Sequence, residues 1–223
     1  MKNRDALGGT GSAFADRREA GRLLAERLLP LAEEEPLVVG LPRGGVPVAD
    51  EVARALGAPL EILAVRKLGA PGNPEYGIGA IVEDGTQVFD PEALTALGID
   101  SGVLAAIAAH ETVELDRRVA AYRGARAALS LAGRTVVVVD DGVATGVTDT
   151  AALRAIHRQG PRRLILAVPV CAPDSLTLLQ GEADEVVCLI APRQLRGVGQ
   201  WYRDFAQVSD QEVITALARR SGS

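Results

Sequence analysis

Aromatic residues are scarce: one Trp, three Tyr and three Phe make up 3% of the 223 residues. Any core this chain builds must therefore be aliphatic. Only two cysteines occur, Cys171 and Cys188, both in apolar segments and in no metal-type spacing. That excludes a disulfide scaffold and predicts buried free thiols, as in a reducing cytoplasm. The two histidines, His110 and His157, fall in expected helices, where a surface role is the expectation. Positive charge is in deficit: 24 Lys and Arg stand against 29 Asp and Glu, a formal net charge of −5. No general basic face exists for a phosphate backbone, so no nucleic-acid partner is expected. No apolar run approaches the ~18 residues of a membrane span, so no membrane partner is expected. Residues 1–15 hold charges and a Gly-Gly-Thr-Gly stretch but no apolar h-region, so they read as a loose tail rather than a signal peptide.

What is present is ordinary globular material, with 48% hydrophobic and 24% charged residues. At roughly 150 residues per domain, one domain or a core with a small appendage is expected. Asp16 caps a first helix, with Ala20, Leu23, Leu24, Leu28 and Leu31 at helical spacing. Residues 37–40 read as a short buried strand, followed by the turn Leu41-Pro42-Arg43-Gly44-Gly45 and a helix ending near Gly57. A second strand spans residues 60–65. Residues 66–79, rich in Gly and Pro, read as a loop, and residues 78–82 and 86–89 as a hairpin. Asp100 or Ser101 opens a long helix that ends near Arg126. Residues 135–139, almost wholly β-branched, suit a central parallel strand. A loop (140–147), a helix (148–159), a strand (164–170), a helix (173–180) and a strand (185–190) follow. Residues 193–205 read as irregular, and Asp210 caps a last helix to about Arg220. This alternation implies an α/β fold, a twisted parallel sheet with helices on both faces. The expected organisation is a tail (1–15), a core (16–190) with a helical insert at about 90–130, and a C-terminal hood with its helix (191–223). The insert is read as a packing or oligomerisation element, which leaves a homo-oligomer open, with part of a substrate lid as the alternative.

The informative stretch runs from Val136 to Thr148, Val-Val-Val-Val-Asp-Asp-Gly-Val-Ala-Thr-Gly-Val-Thr. A strand ends in two carboxylates, Asp140 and Asp141, and a short loop then opens a helix. Backbone N–H groups at a helix start, with the helix dipole, attract an anion. Thr145 and Thr148 add hydroxyl donors, and Gly146 lets the backbone approach a ligand. Adjacent carboxylates can accept hydrogen bonds from a vicinal diol, directly or through a divalent ion. A phosphate cradle beside a diol clamp describes a ribose 5-phosphate site. A plain capping role for Asp-Asp leaves the Thr-Gly-Val-Thr run unexplained. A receiver domain needs more chain after its acidic pair, and a P-loop needs the Lys that is missing here.

This segment resembles the phosphoribosyl pyrophosphate signature of type I phosphoribosyltransferases. Gly142 departs from it, standing where that family usually has an aliphatic residue. Ala144 stands where the family's 6-oxopurine enzymes carry an acidic base, which disfavours hypoxanthine and guanine as substrates. The turn with Arg43, Gly44 and Gly45 looks like the family's pyrophosphate loop, often built on a strained or cis peptide. The stretch from Val65 to Gly77, with Arg66 and Lys67 at its start, is similar to the catalytic loop of adenine-type members. Uncharacterised bacterial members share the Leu-Pro-Arg-Gly-Gly-Val loop and a C-terminal aromatic hood.

The resemblance implies a Mg²⁺-dependent enzyme of nucleotide salvage or a related pathway. It would transfer the ribose 5-phosphate of phosphoribosyl pyrophosphate to a nitrogenous, purine-like base and release diphosphate. Asp140 and Asp141 would hold the ribose diol and Mg²⁺. Gly142, Val143, Ala144, Thr145, Gly146, Val147 and Thr148 would wrap the 5-phosphate. Arg43, Gly44, Gly45, Arg66 and Lys67 would meet the diphosphate, and Trp201 and Tyr202 would stack on the base. A non-catalytic sensor of phosphoribosyl pyrophosphate or nucleotides on the same fold is the alternative.

Overall fold

A computed structural model describes residues 13–124 and 128–220. Most of the expected N-terminal tail, residues 221–223 and the helix end expected near Arg126 lie outside the described residues. In chain order the elements are α1 (Arg17–Leu28), β1 (Leu37–Gly40), α2 (Gly45–Leu56), β2 (Leu60–Ile62), β3 (Val65–Ala70), β4 (Asn73–Val82), β5 (Gln87–Phe89), α3 (Pro91–Leu97), α4 (Ser101–Arg123), β6 (Thr135–Val139), α5 (Val147–His157), β7 (Arg163–Val170), α6 (Pro173–Leu179), β8 (Glu185–Ile190) and α7 (Asp210–Arg220). Among the described residues no single helix is long and apolar enough to cross a membrane.

Five strands form one sheet in the order β2-β1-β6-β7-β8, every neighbouring pair parallel. The unbroken apolar runs of β1, β6 and β7 follow from burial on both faces. Side chains alternate between two cores. Val38, Val137, Val139, Ile165 and Ala167 pack on the face covered by α1, α2, α4 and α7. Leu37, Val39, Val136, Val138, Leu164 and Leu166 pack on the face covered by α5 and α6. From β1 the chain crosses to β2 on one side, and from β6 it crosses to β7 on the other. The crevice between the tips of β1 and β6 is thus a topological switch point, where such sheets bind ligands.

The structure corrects several sequence expectations. Residues 66–79 are not a loop but most of an antiparallel ribbon, β3-β4-β5, built over the sheet's C-terminal edge. Leu68, Ala70, Ile78, Ala80 and Val82 are buried from it, and register shifts at Gly69 absorb the extra residues. The expected strand from residue 60 stops at Ile62. Residues 13–15 are not loose tail. Phe14 is buried and pairs with Tyr202, with Phe14 N–H donating to the Trp201 carbonyl at 2.9 Å. Asp100, not Ser101, caps α4. The last helix is capped by Ser209 rather than Asp210, in a reciprocal box. Ser209 Oγ accepts from Glu212 N–H and Glu212 Oε2 accepts from Ser209 N–H.

Candidate functional site

The tips of β1 and β6 lie side by side, with Leu41 N–H donating to the Val139 carbonyl at 2.9 Å. The turn after β1 runs directly under the acidic pair. A Cβ on Gly45 would sit 2.6 Å from the Val139 carbonyl and 2.8 Å from Asp140 Cα, and one on Gly44 would overlap Asp141 Oδ2. The turn can pass there only because these residues are glycine. The Pro42–Arg43 peptide bond is cis.

After Asp141 the chain folds into the loop expected to cradle a phosphate. Gly146, with φ of 75°, caps α5, so the first amides of the helix open toward the loop. Ser175 on α6 braces the loop from behind, its hydroxyl donating to the Ala144 carbonyl at 2.7 Å. Gly142, the departure from the family pattern, has its reason here. A Cβ at that position would meet Val198 at 2.6 Å and Val170 at 2.8 Å, so the 3₁₀ turn of Val198–Trp201 fills the space a side chain would take.

A cavity of about 240 Å³ opens over this loop. Asp140, Gly142 and the stretch from Ala144 to Asp149 line it from the sheet side, Lys67, Gly77 and Gly79 from the hairpin, Asp90 from the start of α3, and Val198 from the C-terminal segment. Lys67, one of two lysines in the chain, lies across Gly77, where a Cβ would overlap Lys67 Cε. A larger cavity of about 690 Å³ adjoins it and shares Asp90, Thr145 and Val147.

The structure separates residues that the sequence groups. Lys67 faces the cavity, but its neighbour Arg66, one step along an alternating strand, is paired with Glu111 and Glu114 of α4. Asp140 lines the cavity, while Asp141 turns to α1 and meets Arg17 Nε at 2.7 Å. Arg43 lies 3.8 Å from Asp210 on α7. Tyr202 stands apart from a base-stacking role. Its ring packs between Phe14 and Phe205, with centroids 5.3 and 5.0 Å away, and its hydroxyl donates to the Asp141 carbonyl at 2.6 Å. Trp201 packs beside it with an indole N–H that has no partner among the described residues.

Burial governs the titration here. It pushes the Asp140 carboxyl well above its usual range, and the charges of Asp141 and Asp149 add to that. Burial also raises Asp141, with Arg17 opposing the shift. Asp149, in the first turn of α5, was not anticipated from sequence. It is buried, its Oδ1 has no hydrogen-bond partner among the described residues, and burial pushes its carboxyl up to about 7. Arg17 was equally missed, because its partner lies 124 residues away.

Residues 13–200 match the family model described as a phosphoribosyl transferase domain. Curated proteins from two strains of Mycobacterium tuberculosis, provisionally named phosphoribosyl transferases, are 46% identical over 206 residues, or 92% of this chain. The chain spans about half the length of these relatives, 46%. The crystal structure of TT1426 from Thermus thermophilus is similar, with 48% identity, a TM-score of 0.78, and cover of 94% of this chain and 99% of that one. The AQ2163 protein of Aquifex aeolicus shares the fold, with a TM-score of 0.51 at 15% identity over 90% of this chain and 86% of its own.

Proposed function

The chain belongs to the phosphoribosyl transferase domain family, and from that premise we propose that it transfers the ribose 5-phosphate of phosphoribosyl pyrophosphate to a nitrogenous, purine-like base with release of diphosphate. One observation carries the reading. A single cavity is lined by the amide-rich start of α5, by the carboxylate of Asp140 and by the cation of Lys67. These match in turn the phosphate, the ring hydroxyls and the leaving diphosphate of one ligand.

In this reading Thr145 to Thr148 hold the 5-phosphate through backbone amides and hydroxyls. Asp140 accepts hydrogen bonds from the ribose hydroxyls. Lys67 and Arg43 stabilise charge on the departing diphosphate. The anomeric C–O bond breaks through an oxocarbenium-like state, as in glycoside hydrolysis. No side chain serves as a covalent nucleophile, so catalysis is positioning plus electrostatics.

The donor set suits Mg²⁺. Among the described residues no group of three or more acidic, His or Cys side chains converges on a point. An ion here must therefore take most of its oxygens from the ligand and water, as Mg²⁺ does with one or two carboxylates. Asp140 would hold it, and the ion would neutralise diphosphate charge. Residues 191–223 are proposed as the hood, with Trp201 rather than Tyr202 beside the base. Val198, in the same turn, lines the cavity.

The test is diphosphate release from phosphoribosyl pyrophosphate across a panel of bases. Release that depends on one base supports the proposal. Binding without turnover points to a sensor, and release without any base to a hydrolase. The double variant Asp140→Asn, Asp141→Asn is expected to abolish binding by calorimetry while the fold survives; unchanged affinity removes the site assignment.

A further inference from the structure

The second acid of the strand-tip pair has an internal partner. Arg17 Nε donates to Asp141 Oδ2 at 2.7 Å, and Arg17 Nη1 donates to the Ala206 carbonyl at 2.8 Å. The guanidinium carbon lies 3.8 Å from the centre of the Phe205 ring. This is no surface bridge: the two side chains are 11% and 14% exposed. The Tyr202 hydroxyl takes the Asp141 carbonyl, and the turn at Gly44 passes against its carboxylate. Four segments far apart in sequence therefore meet on one residue: α1, the turn after β1, the tip of β6 and the stretch from 202 to 206. A planar guanidinium satisfied by a carboxylate, a carbonyl and an aromatic face is a rigid joint. A buried carboxylate also needs such a partner to be kept in place.

Asp140, the residue before this joint, lines the cavity together with Asp90 and Asp149. We infer that Arg17 is a positioning residue for phosphoribosyl transfer: by holding Asp141 it fixes the β6 tip and with it the carboxylate of Asp140. The inference rests on the proposed function and deepens it. Asp141 then serves as the link between the ribose end of the site and the two chain segments packed over it. Arg17 touches no substrate and acts only through Asp141.

The experiment is a double-mutant cycle on the full chain, with Arg17→Met, Asp141→Asn and their combination. Calorimetry in the presence of Mg²⁺ measures the affinity for phosphoribosyl pyrophosphate and, separately, for inorganic phosphate. Phosphate needs only the α5 cradle, so it reports an intact fold. Arg17→Met is expected to weaken phosphoribosyl pyrophosphate binding at least tenfold and to change phosphate binding less than twofold. In the Asp141→Asn background the same substitution is expected to cost less than twofold. Arg17→Lys is expected to recover part of the loss, since it keeps the charge but not the fork. If Arg17→Met does not fold, the cycle is run with Arg17→Lys, whose shortfall must likewise vanish beside Asp141→Asn. Wild-type affinity in the Arg17 variant overturns the inference, as does an equal loss in both backgrounds or an equal loss of phosphate binding. If the unaltered chain binds phosphate but not phosphoribosyl pyrophosphate, the functional reading falls and takes this inference with it. If the unaltered chain binds both and only the cycle fails, this inference falls and the functional reading stands.

Discussion

The two ends of the cavity are built by different means. The end proposed for the 5-phosphate is one contiguous stretch, Ala144 to Thr148, whose donors are mostly backbone amides at the start of α5. The end proposed for the diphosphate draws on side chains of separate segments: Lys67 on β3 lines the cavity, and Arg43 after β1 sits outside its lining. The other cations of these segments are entangled with acids of α7 and α4: Arg43 with Asp210, and Arg66 with Glu111 and Glu114. Amides at a helix start have fixed direction and cannot be lost to a rival partner. Long cationic side chains can be. A motif of backbone donors is therefore readable along the chain, whereas a motif of charged side chains declares its role only once its partners are known.

The comparison breaks most completely where the two ends join, at Gly45. A methyl there meets the Val139 carbonyl and Asp140 Cα, both backbone atoms that cannot swing away. Gly45→Ala is expected to cost about 1–3 kcal/mol of stability and to abolish ligand binding. Urea unfolding and calorimetry on the same preparation check this. Unchanged binding would mean that the close packing of turn and strand tip is dispensable.

Next in size is the split between adjacent cations. Lys67 faces the cavity and Arg66 faces α4. A charge-assisted hydrogen bond contributes roughly 1.5–3 kcal/mol, so Lys67→Met is expected to lower kcat/KM by about 10- to 150-fold. Arg66→Met breaks a partly exposed bridge and is expected to cost less than about 1 kcal/mol of stability, with activity within threefold. Equal losses from both would show that Arg66 leaves Glu111 to reach the ligand.

This split marks how far the sequence could be read. The five-stranded sheet was legible because β1, β6 and β7 are continuous apolar runs, a pattern with one physical cause. The loop that opens α5 was legible because its Gly146 cap follows from local sequence. The hairpin of β3 and β4 was hidden because its glycines and prolines break the alternation of Leu68, Ala70, Ile78, Ala80 and Val82. The packing of Tyr202 was hidden because an aromatic residue looks the same whether it faces a ligand or Phe14. Arg17 carried no local signal at all. The Ser209 cap, by contrast, was there to be found: Ser209 and Glu212 have capping-box spacing.

The cradle end has its own buried charge, and pH exposes it. Burial pushes Asp149 from a usual value of 3.8 up to about 7. Between those values the folded chain holds a proton that the unfolded chain has released, so stability falls as pH rises. The slope approaches, at most, about 1.4 kcal/mol per pH unit for one such group. Asp140 and Asp141 are raised in the same direction and contribute to the same trend. Asp149→Asn removes only its own share. The variant's melting temperature is expected to gain on the parent's at pH 8 and to show a smaller advantage at pH 5. An advantage independent of pH would mean that Asp149 is ionised throughout.

The smallest effect tests whether the cradle is as self-contained as its backbone construction implies. A side chain from outside the loop donates a hydrogen bond to it: the Ser175 hydroxyl, to the Ala144 carbonyl at 2.7 Å. Ser175 is buried, so Ser175→Ala leaves that carbonyl short of a donor, at a cost of about 1 kcal/mol. If the loop's shape comes from Gly146 and the α5 amides, phosphate affinity is expected to fall less than threefold. The Asp140 end is expected to be untouched, with ribose 5-phosphate weakened by the same factor as inorganic phosphate. A tenfold loss of phosphate binding would show that α6 shapes the cradle from behind. The end that reads as local in sequence would then depend on a distant partner just as the diphosphate end does.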